Sequence, residues 1–171
     1  MNTNGVHYWS TQVDFYNKVK GKRQTGLAKV YMQSSDRFRM EILDPFGFIK
    51  IGTVVINDGQ AKVNFMKQPP YQGPVYDGMF QKMLKVDVSM RDFFSLFTQS
   101  NISKKDWSCE RNGKGVPLVC VSQNENLTIK WSGSMKEEGT TCKVTHTRAD
   151  IALRVKSYKF YKESKGSLFD L

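Results

Sequence analysis

The sequence predicts a mainly β, α+β fold: a curved antiparallel sheet of about ten strands forming an incomplete barrel, with an N-terminal helix and an inserted helix pair as lid or plug. Three observations predict it. Apolar residues alternate with polar ones along most of the chain, which is the period of half-buried strands. Two short stretches in the middle switch to helical spacing, with Phe and Met on one stripe. About ten strands curl into a barrel or fold into a sandwich, and the apolar helices between them need a concave apolar face to cover.

The elements follow in order. Trp9, Val13 and Tyr16, with Phe15 and Val19 beside them, fit an amphipathic helix over Trp9 to Lys20 that Gly21 ends. The period then becomes two. Ala28, Val30 and Met32 make the first strand, and Phe38, Met40 and Ile42 the second. Ile49, Ile51, Thr53 and Val55 make the third, and Val63 and Phe65 the fourth. Ser34-Ser35-Asp36 and Asn57-Asp58-Gly59 are the turns. Residues 67–75, with three prolines, read as an irregular or edge segment, because proline cannot donate to a ladder.

Tyr76, Met79, Phe80, Met83 and Leu84 take helical spacing, and Met90, Phe93, Phe94 and Phe97 repeat it. Ser89 and Asp92 resemble a capping box at the second start. Strands return with Trp107 and Cys109, then Val116 to Val121. Leu127, Ile129 and Trp131 follow, then Cys142, Val144 and His146, and last Ile151, Leu153 and Val155. No linker or repeat divides the 171 residues, so residues 1–171 read as one domain.

Composition narrows the function. With 26 Lys and Arg against 16 Asp and Glu the net charge is +10, which favours an anionic partner. The basic residues are spread along the chain. Only Lys156–Lys165, with Tyr158, Phe160 and Tyr161, has the interleaving that a single-strand stacking platform needs, so nucleic acid is not the expected partner. No stretch approaches the length of a membrane-spanning helix. The two histidines, His7 and His146, lie far apart, and no nucleophile, zinc, P-loop or dinucleotide motif occurs. No enzyme activity, metal or cofactor is therefore expected. Eleven Phe and eight Met supply either a bulky core or the lining of a ligand cavity.

Three cysteines, Cys109, Cys120 and Cys142, allow three pairings or none. Asn112-Gly113-Lys114-Gly115 reads as a hairpin turn, which favours Cys109 with Cys120 and an oxidising compartment. Three reduced, buried thiols are the other reading. Met1 to Gly5 carries no secretory signal, so the chain is not a precursor as written. It reads equally as a mature form with its signal removed.

The most informative segment is Arg37-Phe38-Arg39-Met40-Glu41-Ile42-Leu43-Asp44-Pro45-Phe46-Gly47-Phe48. It is a strand running into a tight turn with an aromatic residue between Pro and Gly. Pro45 fixes the entry and Gly47 relaxes the exit, so Phe46 is expected to be exposed at the tip. Tyr71-Gln72-Gly73, Gln81-Lys82-Met83-Leu84 and Val88 to Phe97 follow in order. In order and spacing, roughly residues 15–100 resemble the lipoprotein-localisation family of the bacterial envelope, the LolA/LolB-like group, and in particular its outer-membrane receptor branch.

The resemblance implies an incomplete barrel with a helical lid over an apolar cavity for acyl chains. It implies an envelope protein, at the outer membrane facing the periplasm, present here without signal or lipidated Cys. Its partners would be lipoprotein acyl chains or other lipids, a periplasmic carrier protein and the membrane surface. The expected cavity lining is Met32, Phe38, Met40, Ile42, Ile51, Val63 and Phe65 from the sheet. The helices would add Met79, Phe80, Met83, Met90, Phe93, Phe94 and Phe97. A buried methylene contributes about 0.8 kcal/mol, so apolar length suffices and no directional polar group is needed. The resemblance gives Phe46, with Phe48, the role of membrane-contacting loop, with Arg37, Arg39 and Lys50 nearby for headgroup attraction. The alternative function is a structural or assembly lipoprotein that uses the same barrel as a scaffold, without lipid cargo.

Overall fold

Strand-forming residues recur along the chain, and the computed structural model orders the described residues into eleven strands. It describes residues 5–76, 78, 79, 90–100, 106–124 and 126–171, with the side chains of Met90 and Arg91 left aside. The elements are β1 (Val6–Asn17), β2 (Lys22–Ser34), β3 (Arg37–Leu43), β4 (Lys50–Asn57), β5 (Gln60–Phe65), β6 (Tyr71–Pro74), α1 (Met90–Thr98), β7 (Trp107–Arg111), β8 (Pro117–Ser122), β9 (Leu127–Trp131), β10 (Thr141–His146) and β11 (Ala149–Tyr161), closed by a 3-10 turn (Gly166–Phe169). The strand order is β6-β5-β4-β3-β2-β1-β11-β10-β9-β8-β7. The end strands β6 and β7 do not pair with each other among the described residues. The sheet is therefore open, as an incomplete barrel requires, and the fold is mainly β as its alternation predicts.

One element is corrected. Residues 9–17 are not helical; they belong to the long strand β1. Trp9, Thr11, Val13 and Phe15 alternate as well as Trp9, Val13 and Tyr16 follow a helical stripe. Val6, Tyr8, Trp9, Thr11, Val13, Phe15 and Tyr16 are β-branched or aromatic, the types that fit a pleated surface better than a helix. Of the expected helix pair, the second is α1. The first, read from Tyr76 to Leu84, falls largely on residues 77 and 80–84, outside the described residues. Residues 71–74 of the proline-bearing segment form β6, with Pro74 opposite Gln60 at the end of the order, where a missing N–H costs no ladder bond.

The chain packs as two compact units, each drawn from non-contiguous segments. The first comprises residues 1–12, 25–76 and 156–171. Its centre is a run of cross-strand pairs on one face: Met32 with Phe38, Phe38 with Ile56 and Ile56 with Ala61. The β4–β5 turn holds Asp58 at φ 49° and Gly59 at φ 78°, the paired left-handed geometry whose twist matches the flanking strands. The 3-10 turn places Phe169 against β3 and β4, fully buried. Asn57 Nδ2 donates to the Phe169 carbonyl at 3.2 Å.

The second unit comprises residues 13–24 and 77–155. Its core includes Leu127, Ile129, Trp131, Cys142, Val144, Ile151 and Leu153 from the strands, with Phe93, Phe94, Leu96 and Phe97 from α1. Trp131 Nε1 donates to the Leu96 carbonyl at 2.9 Å, which pins the helix to β9. Gln99 extends that attachment: its Nε2 donates to the Gly133 carbonyl and its Oε1 accepts from the Met135 amide, both at 2.9 Å.

Cys109 and Cys120 face each other directly across β7 and β8 and form a disulfide, with Cα atoms 4.1 Å apart. The Asn112 side chain accepts from the Lys114 and Val116 amides and so builds the connecting turn. Reducing this bridge is expected to lower stability by about 3 kcal/mol, the chain entropy released when so short a loop is opened. A melting curve with and without reductant checks it. An unchanged midpoint would show that the bridge contributes nothing. Cys142 is buried, and desolvation pushes its thiol far above the ordinary range. A thiol reagent should leave it unmodified until the protein unfolds.

Candidate functional site

The first unit carries an apolar sheet face whose burial is graded. At one end, Phe38, Ile56 and Ala61 have no exposure. In the next row Val30, Met40 and Val54 remain buried, while Val63 is half-buried. In the row after it, Ala28 pairs with Ile42, Ile42 with Gly52 and Gly52 with Phe65, and both Ile42 and Phe65 are half-buried. A Cβ at Gly52 would run into the Phe65 ring. The missing side chain is what lets that ring lie across β4.

Six of the seven expected sheet residues, Met32, Phe38, Met40, Ile42, Val63 and Phe65, share this face. Ile51 does not. Gly52 takes the inward position, so alternation turns Ile51 to the opposite face. In the second unit Phe93, Phe94 and Phe97 are buried on α1, and the rings of Phe93 and Phe97 meet edge to face at 5.6 Å. Met79 is also buried. Phe80 and Met83 lie outside the described residues, as does the side chain of Met90. Sequence spacing missed Trp131 and Gln99, which hold α1 in place; a lone Gln after a helix gives no signal of that kind.

The β3–β4 turn is built by one carboxylate. Asp44 Oδ1 accepts from the Ile49 amide at 2.6 Å and Oδ2 from the Phe46 amide at 3.2 Å. The Asp44 amide donates to the Ile49 carbonyl, and the Gly47 amide to the Asp44 carbonyl, each at 2.9 Å. Gly47 sits at φ 78°, a conformation open to glycine at little cost. With the backbone fixed this way, Phe46 is 80% exposed, Phe48 88% and Ile49 56%. The Met66 amide donates to the Ile51 carbonyl, which brings a further exposed apolar side chain to the same end of the unit. Lys67 follows it, exposed.

The charges expected around this tip are arranged differently. Arg39 is tied to Glu41 at 2.8 Å, and Lys50 reaches the same carboxylate at 3.4 Å. Burial pushes the Glu41 carboxyl up, but the hydrogen bonds and charges of Arg39 and Lys50 outweigh it and hold the group below its usual range. Arg37 starts β3 at the other end of the strand from the turn. Of the basic side chains on these two elements, Lys50 alone adjoins the tip, already paired.

Asp44 gives a pH test of the turn. The Ile49 and Phe46 amides hold its carboxyl below the usual range. A depressed folded pKa stabilises the turn fully above the unfolded value, near 3.9, and the contribution is lost as pH falls through the lower folded value. The Ile49 amide resonance should therefore titrate with a midpoint below about 3.9. A midpoint at or above that value would mean these hydrogen bonds do not hold the turn.

No family model matches the chain, and no curated protein does. Among solved structures, a LolA superfamily protein from Nitrosomonas europaea matches with a TM-score of 0.61 at 9% identity, over 100% of this chain and 92% of that one. At that identity the likeness is one of fold: the chain has a LolA-like fold.

Proposed function

We propose that the protein is a non-enzymatic carrier or receptor of the bacterial cell envelope, which binds acyl chains of lipoproteins or lipids and hands them to a membrane. The exposed Phe46, Phe48 and Ile49 at a rigid turn carry this reading. Three large apolar side chains held in water by dedicated hydrogen bonds cost solubility, and a lipid surface is the partner that removes the cost. The graded apolar face of the same unit supplies an acyl-compatible surface, and the LolA-like fold supports the assignment. The Cys109–Cys120 bridge suits an oxidising compartment such as the periplasm. Placement at the outer membrane, with a periplasmic donor protein, is the finer form of this proposal.

A second reading is a scaffold lipoprotein without cargo. The complete burial of Val30, Phe38, Val54 and Ile56 favours it, because side chains already fill that end of the face. Native mass spectrometry of the purified protein separates the two. Co-purified lipid, together with displacement of a fluorescent fatty acid by a lipopeptide, supports the carrier. No co-purified lipid and no probe binding at roughly micromolar concentration would leave the scaffold.

A further inference from the structure

We propose that a pocket of the first unit, at the end of the β2–β3 hairpin, binds a phosphate-type anion with the Arg37 guanidinium as its fork. The pocket is open, holds about 720 Å³, and is lined by Gln33, Arg37, Phe160, Lys162, Glu163 and Ser164 among others. Its volume is that of small-molecule sites. The inference does not rest on the acyl-chain reading, because it uses a different surface and different chemistry.

Arg37 is the reason. Its Nε is buried and has no acceptor among the described residues. None of the ion pairs among those residues involves it. The carbon of its guanidinium lies over the Phe169 ring, 5.1 Å from the centroid, a cation–π contact that helps hold the side chain in place. Phe169 is itself anchored: it has no exposure, Asn57 donates to its carbonyl, and Arg39 donates to the preceding Leu168 carbonyl at 3.4 Å. A guanidinium presents Nε–H and one Nη–H side by side, at the spacing of two oxygens on one phosphorus or carbon. A buried donor without an acceptor is costly, so a ligand oxygen at that position completes the side chain.

The rest of the lining narrows the ligand. The register between β2 and β3 shifts between Met32 and Ser34, and the bulge puts Gln33 beside Arg37. Lys162 adds a second cation and Ser164 a hydroxyl. Glu163 is an acid within the lining, so a dense polyanion is disfavoured there while ligand hydroxyls find an acceptor. Phe160, 52% exposed, gives an apolar wall. A phosphate group suits the two cations and the hydroxyl, and a hydroxylated, partly apolar body joined to it would also meet Glu163 and Phe160. Two sources share the phosphate group, the headgroup of an anionic phospholipid and free inorganic phosphate.

The test uses the whole chain with two probes, dihexanoyl phosphatidylglycerol below its micelle concentration and inorganic phosphate. Calorimetry reads affinity, and the Arg37 Nε–H resonance reads the contact. Saturable binding with a downfield shift of that resonance is expected. Arg37→Lys, which keeps the charge and loses the fork, should weaken binding about tenfold, and Lys162→Gln about threefold. Should Arg37→Gln fail to fold for lack of its stack on Phe169, those two variants still decide. Tighter binding of the lipid by about tenfold assigns the site to headgroups, and equal binding assigns it to free phosphate; each supports an anion site. No saturable binding of either probe at about 10 mM overturns the proposal, and so does unchanged affinity in folded Arg37→Lys.

Discussion

Replacing Phe46 and Phe48 together by glutamate is expected to abolish association with phosphatidylethanolamine–phosphatidylglycerol vesicles while leaving the melting temperature nearly unchanged. Both rings stand in water, so neither contributes packing to the folded chain. Each ring entering a bilayer contributes about 1.5–3 kcal/mol, enough together for transient docking and too little for permanent anchoring. Glutamate removes that gain and adds a charge that resists leaving water. The substitution does not touch the Asp44 hydrogen bonds, which use the backbone amides of Phe46 and Ile49. Acyl-chain binding, measured with the fluorescent probe, should persist, because the apolar sheet face is elsewhere in the unit. A large fall in melting temperature would show that the rings pack in the fold. Unaltered vesicle binding would remove the turn from the docking surface.

The opposite pattern is expected of Phe38→Ala. Phe38 has no exposure and lies between Met32 on β2 and Ile56 on β4. Truncating a buried Phe costs about 3–5 kcal/mol, the transfer term plus the cavity left behind. For a chain of this size the melting temperature should fall by on the order of 10 °C. Vesicle association at a temperature where the variant stays folded should be near that of the parent protein. A small stability change would mean that Phe38 borders space already open, which would move the proposed acyl-binding surface to the deepest row of the sheet.

Much of this was legible because strands announce themselves by alternation. Phe38, Met40 and Ile42 against Arg37, Arg39 and Glu41 left no doubt about the period, and Pro45 with Gly47 framed the exposed Phe46. The misplacement of Ile51 has a physical reason. The inward position on β4 is Gly52, and the apolar group occupying it is the Phe65 ring from the neighbouring strand. An inward residue without a side chain leaves no mark on the hydrophobic pattern. β1 was misread because its aromatic residues satisfy both periods, and only its pairing partners decide between them. The Phe169 anchor was invisible for a third reason: a single Phe in a polar terminal segment has no period at all.

The strand order also fixes when this sheet can be completed. β1 and β11, the first and last of the described strands, are neighbours in the middle of the order, whereas other neighbours in the order are consecutive in sequence. Each group of consecutive strands can form as hairpins while the chain emerges. The seam between them waits for β11, as in the His7–Tyr158 hydrogen bond, which joins positions 151 residues apart. Closing so long a loop brings its reward last, so folding should be slow for the size of the chain. Until then β1 keeps an unpaired edge, a template for pairing with other chains. A polypeptide built this way keeps its two groups of strands unjoined until β11 has been made, so they must persist meanwhile as separate, partly folded halves of one sheet.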